Sequence, residues 1–100
     1  MLERDYQKKL VKKLKERFPG CYVIKNDAQL KQGIPDLLVL YSDKWVALEV
    51  KNSSTAHHQP NQDLNVKRMN DMSYASFIYP ENEEAVFKEL EEVFADELPL

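Results

Sequence analysis

Between Gly33 and Lys51 the chain carries two apolar runs, Leu37 to Tyr41 and Trp45 to Val50, parted by a polar segment so short that the chain must reverse there. Runs of this length, rich in Val, Leu, Tyr and Trp, read as the two strands of a hairpin. Three charged groups interrupt it. Asp36 opens the first strand directly after Pro35, whose ring fixes its own φ and biases Ile34 towards an extended backbone. Glu49 and Lys51 stand two apart in the second strand, so they share one face with Cα atoms roughly 6.5–7 Å apart. Val46, Leu48 and Val50 point the other way.

Whether Asp36 joins that face depends on the turn. A two-residue loop at Asp43-Lys44, or a four-residue loop from Ser42 to Trp45, pairs Leu40 with Ala47 and Leu38 with Glu49. Asp36 then lies opposite Lys51 and diagonal to Glu49, on the same face. A three-residue loop inverts the pattern and sends Asp36 to the other side. We expect the even loop. Two carboxylates and an ammonium so arranged suit Mg²⁺, which takes one or two carboxylates, several waters and a substrate phosphate. Asp36 and Glu49 supply the carboxylates and the Val50 carbonyl a third oxygen. Lys51 is placed to orient or deprotonate the attacking water, or to steady charge on a phosphate.

One hundred residues suffice for one domain and leave no room for a second core. A single cysteine, Cys21, excludes an internal disulfide and fits a reducing cytoplasm. No apolar run approaches the ~20 residues of a membrane span, and the charged start at Glu3, Arg4 and Asp5 is unlike a secretory signal. The net charge is −3, but it is unevenly spread. The last twenty residues hold eight acids against Lys88, while the first eighty hold 13 bases against 9 acids, a net of +4. A basic body with an acidic end is compatible with phosphate binding on one surface.

In chain order, Leu2, Tyr6, Leu10, Leu14 and Phe18 recur every four residues and predict an amphipathic helix, widened by Val11 and stopped by Pro19-Gly20. Its other surface, with Lys8, Lys9, Lys12, Lys13, Lys15 and Arg17, is either a solvated face or a phosphate-tracking one. Cys21 to Asn26 reads as a strand. Asp27 to Gly33 is a polar loop in which Gln29, Lys31 and Gln32 are candidates for gripping a backbone. His57 and His58 lack partners at zinc-ligand spacing. Pro60 suits the first turn of a helix continuing to about Met72, with Leu64 and Met69 to Met72 on a mixed stripe. Tyr74 to Pro80 is a fourth strand. Asn82 is expected to cap a last helix that buries Val86, Phe87, Leu90, Val93 and Phe94. The helix after the hairpin serves as a crossover returning the fourth strand to the sheet.

Pro35-Asp36 followed by Glu49-Val50-Lys51 resembles the PD-(D/E)xK nuclease signature. The fuller text Gly33-Ile-Pro-Asp-Leu-Leu-Val-Leu, with Glu49-Val-Lys and a later Gln62, resembles its VRR-NUC branch, whose small phage members stand alone. The resemblance spans all but about the last 20 residues. It implies an α/β fold: a restriction-endonuclease-like αβββαβ core with a central mixed sheet, plus an extra C-terminal helix. It implies a Mg²⁺- or Mn²⁺-dependent endonuclease on DNA with Asp36, Glu49 and Lys51 as catalytic core. Gln62, with Gln59 as the alternative, would position the attacking water or the scissile phosphate. Glu3, with Asp5 and Glu16 as alternatives, would be the first-helix acid facing the metal. By the same resemblance the partner is branched, four-way-junction DNA and the protein a homodimer. The competing expectation is a nuclease-like fold that binds DNA or a protein without cutting.

Overall fold

The computed structural model describes residues 1–27, 29 and 31–97. Ala28 and Leu30 of the polar loop lie outside them. The elements follow in the order α1 (Glu3–Arg17), β1 (Tyr22–Lys25), β2 (Leu37–Tyr41), β3 (Lys44–Val50), α2 (Gln62–Met72), β4 (Ala75–Ile78) and α3 (Glu83–Val93), with a closing 3-10 turn at Ala95–Glu97. The succession of helices and strands is the one expected. The chain is a small α/β protein whose four strands form one mixed sheet in the order β1-β2-β3-β4. β1 with β2 and β2 with β3 are antiparallel, whereas β4 returns parallel to β3 through the α2 crossover.

Period-two alternation sorts the sheet's side chains onto two faces. Leu37, Val39, Val46, Leu48, Val50 and Ile78 meet Tyr6, Leu10, Leu14 and Phe18 of α1 and Val86, Phe87, Leu90 and Phe94 around α3. Phe18 anchors this layer, edge-on to Phe94 at 5.3 Å and tilted against Phe87 at 6.2 Å. Burying such side chains contributes about 1.5–3 kcal/mol each, so α1 and α3 are held by carbon rather than by charge. The opposite face is thinner: Ala47 and Ala75 take Val66 of α2, with Leu38, Trp45, Met69 and Phe77 around them. Small alanines let the α2 backbone approach. Leu2, Leu64 and Met72, expected on apolar stripes, are instead exposed. α2 presents Val66 and Met69 to the sheet, and it starts at Gln62, after Pro60 and after Asn61 with φ +73°.

The hairpin loop is even, as expected, but its register differs. Tyr41 pairs with Lys44 and Leu38 with Ala47, leaving Ser42-Asp43 as the two-residue loop. Ser42 takes the positive φ (+57°) that such a loop requires at its first position. Lys44 belongs to the strand. The whole pairing therefore shifts by two residues, which keeps every side chain on its expected face and changes only who sits opposite whom. Extending that register brings Asp36 opposite Glu49 rather than opposite Lys51. Asn82 does not cap α3: its Oδ1 accepts from the Tyr79 N–H at 2.9 Å and its Nδ2 donates to the Phe77 carbonyl at 3.0 Å, fastening the helix start to β4.

Candidate active site

Proline makes the end of the β2–β3 ladder. The next hydrogen-bonded pair, beyond Asp36 and Glu49, would set Val50 against Pro35, which has no N–H to give. The Val50 N–H is taken instead by Asp36 Oδ2 at 2.9 Å. In an extended strand a residue's N–H and C=O lie along the same edge, so the Val50 carbonyl faces the Asp36 side too. β1 fixes Asp36 from behind: Asn26 N–H donates to the Asp36 carbonyl at 2.8 Å and Asn26 Nδ2 to the Pro35 carbonyl at 2.8 Å.

Glu49 and Lys51 sit where a sheet normally keeps carbon, 2% and 5% exposed. Buried charges survive only when partnered. The Lys51 ammonium donates to Gln62 Oε1 at 2.9 Å and to the His57 carbonyl at 3.0 Å, and lies 3.7 Å from Glu49 Oε2. Gln62 Nε2 donates to the same Glu49 oxygen at 3.0 Å, and the Gln59 N–H donates to Gln62 Oε1 at 2.8 Å. Gln62 is thus held at both ends between acid and amine, and of the two glutamines it is the one whose side chain enters the site. Glu49 Oε1 is buried and without a hydrogen-bond partner among the described residues. Burial first, then the Asp36 charge and a hydrogen bond between the two carboxyls, push the Glu49 acid up to about 8, against a smaller opposing pull from Lys51.

Glu3 joins from the side. The start of α1 lies beside the segment leaving β3, where Asn52 Nδ2 donates to the Met1 carbonyl at 3.3 Å. The Glu3 carboxyl is raised by partial burial, and Lys51 and Asp36 both act on it, as does Glu3 on Glu49. Glu16 lies instead in a depression with Lys13, Arg17, Glu83 and Glu84. The five residues expected from the sequence therefore share one neighbourhood, at the end of β3 where α1, β2 and α2 converge.

Sequence reasoning missed the supports. Gly33, at φ +81°, lies so close to α2 that a Cβ there would meet Asn61 Cβ at 2.9 Å and Asn65 Nδ2 at 3.0 Å. This contact, with Asn65 Nδ2 donating to the Gln32 carbonyl at 3.4 Å, seats the helix that carries Gln62 against the loop that carries Asp36. A scarce glycine before the motif and asparagines four apart on the helix were the only written signals. His58 stacks on Phe77 with ring centroids 4.1 Å apart, and its Nδ1 is 2.9 Å from Asp63 Oδ1, while His57 serves through its carbonyl.

The donor set fits a hard cation of the Mg²⁺ type. Among the described residues no group of three or more His, Cys, Asp or Glu is arranged to hold a metal ion, but Mg²⁺ needs no such cage. Asp36, Glu49 and the Val50 carbonyl offer three oxygens, and the two carboxyls face each other closely enough for each to shift the other. Compared with protein-family models and with curated proteins, the chain matches none. No helix among the described residues is long and apolar enough to cross a membrane.

Proposed function

We propose that the protein is a metal-dependent DNA endonuclease of the PD-(D/E)xK type, with a restriction-endonuclease-like core and a preference for branched DNA. One observation carries the reading: two carboxylates, Asp36 and Glu49, face each other beside a buried ammonium that a glutamine ties to one of them.

Asp36, Glu49 and the Val50 carbonyl would hold Mg²⁺ or Mn²⁺, with Glu3 flanking. When bound, such an ion lowers the pKa of water and neutralises phosphate charge. The chain's own residues do the rest. Gln62 fixes the carboxylate and the ammonium relative to each other, because its Oε1 and Nε2 are committed to different partners. Lys51 sets a positive charge beside the phosphate as negative charge builds on its oxygens. In hydrolysis the water oxygen bonds to phosphorus, one ester P–O bond breaks, and the proton lost by water is balanced by one gained at the leaving oxygen.

The test is incubation of plasmid and a synthetic four-way junction with Mg²⁺, Mn²⁺ or EDTA. Cleavage is expected with either metal and not in EDTA, with Asp36→Asn and Lys51→Met each lowering the rate about 10²–10³-fold. Cleavage that persists in EDTA, or unchanged rates in both variants, would remove the mechanism. Binding with no cutting of any DNA would leave a recognition module.

A further inference from the structure

The basic residues of α1 do not act as one face. Lys13 donates to Glu83 at 2.8 Å, and Arg17 bonds Glu84 and Glu91 while its guanidinium lies 5.4 Å from the centre of the Phe87 ring. The acidic α3 thus neutralises one flank of α1. Lys8 and Lys15 lie on the other flank, where Lys15 acts on the thiol of Cys21 just before β1. There Lys8 and Val11 line a depression of about 270 Å³ together with Lys25 of β1. Lys25 also walls a second depression, of about 400 Å³, whose lining includes Asp27 and Asp36. Lys25 lines both, one on the α1 side of β1 and the other beside Asp36. Lys8, Lys15 and Lys25 are exposed and have no carboxylate partner among the described residues. Asp27, the acid at the lower end, is engaged by the Gln29 N–H at 2.8 Å.

We infer that these two depressions seat the sugar–phosphate backbone of the strand to be cut, with Lys8 and Lys25 contacting its phosphates on the approach to Asp36 and Lys15 extending the track along α1. Lys8 and Lys15 are seven residues apart, about 10 Å along the helix. An acidic protein surface would not need a row that ends at a pair of catalytic carboxylates. The inference rests on the nuclease reading and adds the path of the substrate to it.

The experiment measures binding of a labelled four-way junction and a labelled duplex by fluorescence anisotropy, in EDTA, from 50 to 200 mM salt. The triple variant Lys8→Gln, Lys15→Gln, Lys25→Gln is compared with wild type, with the three Lys→Arg changes, and with Lys88→Gln on the acidic helix. Each lost phosphate contact removes about 0.9 from the slope of log K against log salt. The triple Gln variant should therefore lose about 2–3 from the slope and bind at least tenfold more weakly at 100 mM salt. The Arg variant and Lys88→Gln should keep the wild-type slope. Wild-type slope and affinity in the triple Gln variant would overturn the track and leave the nuclease reading standing. Wild type that binds neither DNA would overturn both. Wild type that binds but never cleaves with metal would overturn the nuclease reading alone, the track then being judged by its slope.

Discussion

Glu49 is the residue on which stability and chemistry pull apart. The folded protein holds its proton up to about pH 8, whereas an ordinary glutamic acid releases it near 4.5. A raised pKa in the folded state means a contribution to stability that is whole below the ordinary value and is lost as pH rises through about 8. In EDTA, Glu49→Gln should therefore melt higher than wild type at pH 9, with the gap narrowing towards pH 5. Several degrees are expected, since 1 kcal/mol moves the Tm of a domain this size by about 4–8 °C. A gap that stays constant across that range would refute the assigned proton. Millimolar Mn²⁺ at pH 8 should raise the wild-type Tm and leave that of Glu49→Gln nearly unmoved, because a ligand stabilises only the state that binds it. Gln62→Ala would strand the Lys51 ammonium and Glu49 Oε2 together. It should cost about 1–3 kcal/mol and slow cleavage, with Gln62→Glu failing as a rescue because it turns the Nε2 donor into an acceptor.

Among the elements, the hairpin shows what sequence can convey. Alternation settled which face Asp36, Glu49 and Lys51 share, because faces survive any even shift. It could not settle the partner, since Lys44 has an aliphatic stem that serves a strand as well as a loop, and the difference is a matter of two residues. The helices were legible from their fourfold spacing, except at α2. There Leu64 is as apolar as Val66, and only the packing of α2 on Ala47 and Ala75 decides between them. The seating of α2 against Gly33 was illegible because it depends on the left-handed backbone of that glycine and on side chains far along the chain. Gly33→Ala should accordingly destabilise by about 1–3 kcal/mol through its positive φ and its clash with Asn61. It should also lower kcat in the surviving folded protein by displacing Gln62, and thermal melts with turnover at 20 °C below Tm separate the two effects. Retention of wild-type Tm would show that the loop simply moves aside.

At the scale of the molecule, one sheet face is closed by α1 and α3 and the other only partly by α2, so Tyr22 and Ile24 of β1 stand in solvent at 71% and 42% exposure. The charge is divided in the same spirit, acids spent on one flank of α1 and free lysines left on the other. That division was half visible in the sequence, as a basic body and an acidic end; which lysines escape neutralisation required the packing of α3. Arg17→Ala should loosen α1 from α3 by only about 0.5–1 kcal/mol, an exposed network, and a larger loss in urea melts would contradict the view that carbon holds these layers. Finally, the Lys51 ammonium is a rivet: it pins the chain's exit from β3 through the His57 carbonyl. A lineage released from the proposed chemistry would discard its uncomfortable glutamate early and keep the lysine. A library at both positions, scored for folded protein alone, should rank them in that order.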